Sequence, residues 1–250
     1  MNNIETIDKL KKMRLQAMAQ LHNQHIENHK HNSFTPDEYI ALLTDHQWDA
    51  RQDNKIQRLL VQAGFRQKAT LPEVNHIHSR NLDKNAFSRL ASLTFIDRKE
   101  NILLTGASGV GKSYLSQAIG HQACMFEHRV IYTGAARLFA KLKIAKIDGT
   151  YLKEMNKLNK AQLLILDDFG LQALDNFARE ALLEIIDDRY QQTSTIIASQ
   201  LPVSTWYDII GEGTIADAIL DRIVNSSHRI ELKGESMRKA IKTVESNKNN

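Results

Sequence analysis

The chain has 250 residues, a formal net charge of +4 and 42% apolar residues, which allows one large buried core or two modest ones. A single cysteine, Cys124, excludes an internal disulfide, and the lack of any apolar run of about 18 residues excludes a membrane-spanning helix. The start, Met1-Asn-Asn-Ile-Glu, does not read as a secretory leader, so a reducing cytoplasm is the expected location, and the mild basicity permits nucleic-acid binding without establishing it.

Residues 1–75 read as an all-helical N-terminal domain and residues 76–250 as a nucleotide-binding domain. Leu10, Met13, Ala17 and Leu21 recur at helical spacing. His22, His25, His29 and His31 follow, but their spacing is loose and no cysteine joins them, so they read as a polar helix face rather than a metal site. Thr35-Pro36-Asp37-Glu38 is a capping box with proline in the first turn. It opens a helix carrying Tyr39, Leu42, Leu43, Trp48, Ile56, Leu59 and Leu60, with Gly64 as its stop. Trp48 and Phe65 fit either a core or an interface. Residues 65–80 lose periodicity, contain Pro72 and read as a link; a helix over about Leu82 to Phe95 follows.

From there strands alternate with helices. Strands are predicted near 101–105, 129–133, 163–167, 194–199 and 228–232. Short apolar, β-rich runs separated by helices predict a buried parallel sheet between helical layers.

The first strand leads into Gly106-Ala-Ser-Gly-Val-Gly111-Lys112-Ser113, and a helical pattern of Tyr114, Leu115, Ala118 and Ile119 comes next. Strand, glycine-rich loop and helix in that order form a phosphate cradle, because the glycines let successive backbone N–H groups converge on one anion. Gly106, Ala107, Ser108, Gly109, Val110, Gly111, Lys112, Ser113 and Tyr114 are therefore expected to hold ATP, with Lys112 on the β- and γ-phosphates and the Ser113 hydroxyl on Mg²⁺.

Leu163-Leu-Ile-Leu-Asp167-Asp168 is the second signal: a buried strand that presents carboxylates at its tip. Asp167 would hold Mg²⁺, directly or through water, and Asp168 would polarise the attacking water. One strand intervenes between the glycine-loop strand and the acidic strand, and no guanine-reading Asn-Lys-x-Asp is present; both features favour an assembling or moving ATPase over a Ras-like GTPase. The fourth strand ends Ser199-Gln200, and either residue could orient water at the γ-phosphate. Arg222, in Asp217-Ala-Ile-Leu-Asp221-Arg222, is either a surface ion-pair partner or an arginine finger for a neighbouring subunit's ATP. Arg137, Lys141, Lys143, Lys146, Lys153, Lys157 and Lys160 face only Asp148 and Glu154 over 137–160. Arg137, Lys141, Lys143 and Lys146 are the candidate DNA contacts, the last three falling just after the helix that follows the second strand; a solvated charged face is the alternative.

These residues carry a resemblance. The chain resembles the IstB family, helper ATPases encoded by insertion sequences beside a transposase. They are of the AAA+ class and similar to DnaC-type helicase loaders. The resemblance runs from about Leu42 to Lys239 through His46-Gln-Trp48-Asp-Ala-Arg51, Lys55-Ile-Gln-Arg58, the glycine loop and Leu163 to Gly170. It continues in Ser199-Gln200-Leu-Pro202 with Trp206, Ala216 to Arg222, and Gly234-Glu-Ser236-Met-Arg238-Lys239. It implies a P-loop AAA+ domain with a five-stranded parallel sheet and no helical lid, a homo-oligomer on duplex DNA with ATP at subunit interfaces, and a transposase partner directed to its target. It also implies that Arg222 is the trans-acting finger and that Arg238 contacts nucleotide. Asp168 stands where many relatives of the wider class carry glutamate, and the shorter side chain implies slow hydrolysis. The alternative is a DnaC-like loader that binds single-stranded DNA and a replicative helicase.

Overall fold

The computed structural model describes residues 3–74, 82 and 84–237, and the chain forms two compact units, Met1–Arg58 and Leu59–Asn250. In the first unit, α1 (Asn3–Lys12) and α2 (Gln16–Glu27) pack together, and α3 starts at Pro36 and runs to Ala63. The capping box that starts α3 forms: the Thr35 N–H donates to Glu38 Oε2 at 2.8 Å, and the Glu38 N–H to Thr35 Oγ1 at 3.4 Å. Gly64, with φ +74°, ends the helix as a left-handed stop. His22 Nδ1 lies 2.9 Å from the Tyr39 hydroxyl, and His25 stacks on Phe34 at 5.8 Å, so these two rings belong to a small half-buried aromatic cluster rather than to a solvated face. The His31 side chain lies outside the described residues. Trp48 is 63% exposed.

The second unit takes in the last residues of α3 and the segment after it. Leu59, Leu60, Ala63, Phe65, Ala69, Leu71 and Val74 all pack into its core. A helix over 84–91 (α4) and a single turn at Thr94–Asp97 (α5) replace the one helix predicted from Leu82 to Phe95, because Leu93 takes a left-handed φ of +60° while its side chain is buried. Pro72 lies in a short 3₁₀ turn, Leu71–Glu73. Residues 75–80 of the predicted link lie outside the described residues.

Five strands follow: β1 Asn101–Thr105, β2 Val130–Gly134, β3 Leu163–Phe169, β4 Ser194–Ser199 and β5 Ser227–Glu231. They form one parallel sheet in the order β2-β3-β4-β1-β5. The helices between them are α6 Lys112–Met125, α7 Ala135–Ile147, α8 Tyr151–Asn159, α9 Asn176–Arg189, α10 Trp206–Ile210 and α11 Gly213–Val224. The strands read as continuous apolar runs because both faces of the sheet are covered. The two-residue period then sorts side chains between two cores. Ile102, Leu104, Ile165, Ile196 and Ala198 meet α6 residues Ala118 and Ile119; Leu103, Leu164, Leu166 and Ile197 meet Leu182 of α9 and Ile219 of α11. Cys124 is buried in the first of these cores.

In chain order β2 separates the glycine-loop strand from the acidic strand, but in space β2 is at the sheet's edge and β4 lies between β1 and β3. The tip of β4 therefore pairs on both sides, Ser199 with Thr105 of β1 and with Phe169 of β3.

Helix α7 itself carries Lys141, Lys143 and Lys146, which corrects the expectation that they follow it. Leu138, Phe139, Leu142 and Ala145 keep a buried stripe at helical spacing, and neither glycine nor proline interrupts the run before Gly149. Arg189, at the end of α9, is buried with no carboxylate partner among the described residues. It donates to the Leu158, Ala161 and Ser194 carbonyls and to Thr195 Oγ1, tying α8, α9 and β4 together.

Candidate active site

The loop from Gly106 to Gly111 joins β1 to α6. Gly111 opens the helix with φ +102°, a conformation that a side chain disfavours. Gly106 has φ +141°, and a Cβ there would lie 2.1 Å from the Leu232 carbonyl oxygen. The segment after β5 thus returns over the loop, and the Met237 N–H donates to the Gly109 carbonyl at 3.0 Å.

Lys112 is 7% exposed and its ammonium donates to the loop's own Gly106 and Ala107 carbonyls at 2.7 and 2.8 Å. Burial lowers its pKa, while Asp167 and Asp168 pull the other way. Ser113 Oγ donates to Asp167 Oδ1 at 3.0 Å. The same oxygen accepts the Asp168 N–H at 2.9 Å, and Asp167 Oδ2 accepts the Tyr132 hydroxyl at 2.5 Å. Burial and the Asp167 contact raise the Tyr132 pKa, so the phenol stays a donor. Asp167 is 1% exposed, and its carboxylate is oriented from β2, β3 and α6 at once. A hydroxyl and a carboxylate oxygen side by side are the hard-oxygen donors that Mg²⁺ takes, and this pair fits that ion.

Asp168 sits at an irregularity of the β3–β4 pairing and has φ +57°. A bulge of this kind re-aims a side chain: its Oδ2 lies 3.4 Å from Arg66 Nη1. It also lines a 610 Å³ cavity over the glycine loop with Lys112, Ser113, Gln200, Leu232 and Met237. The other wall of that cavity includes Gln67, Glu73, Val74 and Leu82, and the Tyr114 hydroxyl donates to Glu73 Oε2 at 2.8 Å.

The two residues at the tip of β4 separate in space. Ser199 is fully buried; its hydroxyl donates to the Phe169 carbonyl at 2.7 Å and accepts the Leu201 N–H at 3.1 Å. Gln200 lines the cavity. Arg222 Nε pairs with Asp187 of α9 at 2.6 Å, and its Nη1 donates to the Ala218 carbonyl. Arg238 lies outside the described residues. On α7, Lys141 pairs with Glu154 at 2.5 Å, Lys143 with Asp175 at 3.2 Å, and Lys146 lies 5.3 Å from the Phe177 ring centre. Arg137 lines two adjoining cavities with Arg66.

Arg66, Gln67, Glu73 and Tyr132 escaped the reading of the sequence. Tyr132 carried a faint signal, as a polar tip at an inward position of β2. Arg66 and Gln67 carried none: they follow a helix stop, and their backbone N–H groups are held by Gln117 Oε1 at 2.8 and 3.2 Å.

The family of IstB-like ATP binding proteins matches residues 8–245. This chain belongs to that family. Among the family's insertion-sequence proteins, one ATP-binding protein of Sinorhizobium fredii is 45% identical over 234 residues, covering 94% of this chain and 96% of the relative. The insertion sequence IS1162 ATP-binding protein of Pseudomonas fluorescens is 39% identical over 201 residues, covering 80% and 87%. Of solved structures, the DnaC helicase loader is similar with a TM-score of 0.52 and 21% identity, covering 66% of this chain and 97% of that one. AMPPCP-bound DnaA from Aquifex aeolicus gives 0.57 and 22%, covering 74% and 57%. These two likenesses are likenesses of fold, the P-loop domain with its five-stranded parallel sheet. No helix among the described residues is long and apolar enough to cross a membrane.

Proposed function

We propose that this chain is an ATPase that assembles on duplex DNA and directs an insertion-sequence transposase to its target. The observation that carries the reading is the meeting of Lys112, Ser113 and Asp167 over one glycine loop, in a chain whose relatives are named for insertion sequences and ATP binding.

Lys112 exchanges the Gly106 and Ala107 carbonyls for the β- and γ-phosphates of ATP. Ser113 and Asp167 hold Mg²⁺, which when bound neutralises charge on the phosphate oxygens. Tyr132 keeps the Asp167 carboxylate turned toward Ser113. Asp168, on the cavity wall, orients the attacking water, with Gln200 lining the same cavity and Ser199 fixing the strand tip. Arg222 leaves Asp187 to reach the ATP of a neighbouring subunit, so hydrolysis needs the oligomer. Arg137, Lys141, Lys143 and Lys146 meet DNA phosphates, which makes binding tolerant of sequence and sensitive to salt.

The test is the affinity for duplex and single-stranded DNA, each with ATP and with ADP, on complexes of measured size. Tight, ATP-dependent assembly on duplex is expected. A preference for single strands would overturn the duplex reading in favour of a helicase loader.

A further inference from the structure

We propose that Arg66 is a positioning residue that holds the hydrolytic carboxylate of Asp168 out of action, and that a backbone phosphate entering the basic groove beside it releases that carboxylate. The inference rests on the reading of this chain as a DNA-binding ATPase and adds the link between its two ligands.

Asp168 lies on the wall between two cavities. One is the cavity over the glycine loop. The other is a 520 Å³ groove at the start of α7 and the loop after β3, where Arg66, Arg137 and Lys143 outnumber Asp168 and Asp175, the latter paired with Lys143. Asp168 is the residue their described walls share. Its carboxylate pairs with Arg66, one of the groove's three cations, at 3.4 Å. Both side chains are partly exposed, so the pair is weak and exchangeable. An anion in the groove competes for the guanidinium, and the carboxylate then turns back to the nucleotide cavity.

The guanidinium is seated rather than loose. It lies 5.8 Å from the centre of the Tyr132 ring, the same tyrosine that orients Asp167. Gly134 leaves it room: a Cβ there would lie 2.8 Å from Arg66 Nη2. Its backbone is tied to the phosphate-loop helix through buried Gln117, whose Oε1 accepts the Arg66 and Gln67 N–H groups while Nε2 donates to the Ser113 carbonyl at 2.9 Å. Neighbouring residues thus face different ligands: Arg66 lines the groove and Gln67 lines the nucleotide cavity.

The experiment compares DNA-free and duplex-stimulated hydrolysis by the full chain and by Arg66→Ala, Arg66→Lys and Gly134→Ala. Duplex binding by the wild type is measured separately by fluorescence anisotropy. Removing one exposed ion pair is expected to raise the DNA-free kcat about fivefold, to bring the stimulation ratio toward one, and to leave the KM for ATP within about twofold. Gly134→Ala has an ordinary backbone angle of φ −73° and displaces the guanidinium without deleting it, so it is expected to act in the same direction if Arg66→Ala folds poorly. Arg66→Lys restores the low basal rate. A DNA-free rate that is unchanged or lower in both Arg66→Ala and Gly134→Ala overturns the proposal. Wild type that binds no duplex overturns the DNA reading instead, and a raised basal rate in the variants would still uphold the hold on Asp168.

Discussion

Ser113 Oγ donates to Asp167 Oδ1 over 3.0 Å although the two residues stand 54 positions apart. The bond joins the first turn of α6 to the tip of β3 across the intervening strand β4. It sets the two proposed oxygen ligands of Mg²⁺ side by side, which would lower the cost of assembling the site. Ser113→Ala should therefore lose the Mg²⁺ dependence of ATP binding. Titrations with Mg²⁺ and with EDTA should give nearly equal affinities in the variant and well-separated ones in the wild type.

Lys112 is held by loop carbonyls, and burial lowers its pKa. A lowered pKa means that the proton leaves at a lower pH than from a free lysine, whose range centres near about 10.4. ATP affinity should accordingly weaken with rising pH before that range is reached. Lys112→Ala should abolish binding at every pH, and normal affinity in that variant would remove the phosphate-loop assignment.

Arg222 is paired with Asp187 at 2.6 Å within its own chain. Arg222→Ala should bind nucleotide with near-normal affinity but lose about 10³-fold or more in hydrolysis. Full activity would remove the finger role. Mixing the variant with an Asp168→Asn chain should recover part of the rate, because each subunit then supplies what the other lacks.

Lys141 and Lys143 already have acidic partners on Glu154 and Asp175, and Lys146 lies on Phe177. If they meet DNA, each lysine exchanges a local partner for a phosphate. Replacing all three by alanine should flatten the dependence of log affinity on log salt by about 0.9 for every phosphate no longer neutralised. An unchanged slope would clear them of phosphate binding.

Burial pulls the Arg189 guanidinium down to about 9, so it remains charged at neutral pH. Its donors satisfy three carbonyls and the Thr195 hydroxyl. Arg189→Met would strip these buried acceptors of their donors and should cost about 4 kcal/mol, seen as a melting temperature lower by roughly 10 °C. A melting curve like that of the wild type would contradict this role.

Much of the frame was legible in the chain. Glycines at fixed spacing, strand-forming runs and the Thr35–Glu38 box are local signals, because backbone angles and capping bonds involve residues within a few positions of one another. Strands 101–105 and 194–199 were placed to the residue. Leu93 escaped because a left-handed leucine has no sequence signature. The lysines of α7 were set past the helix because lysine gives no stop signal either way.

Residue type alone put Lys112, Ser113 and Asp167 in one site, since the chemistry of a triphosphate demands a cation, a hydroxyl and a carboxylate at a glycine-rich turn. It left Ser199 and Gln200 equivalent and Arg66 invisible. Those were decided by strand order and register. Placing β4 between β1 and β3 buries the Ser199 hydroxyl against Phe169 and leaves Gln200 on the cavity wall. The fold then brings Arg66 against Asp168, 102 positions away. Such pairings follow from how packed layers meet, and no local periodicity encodes them.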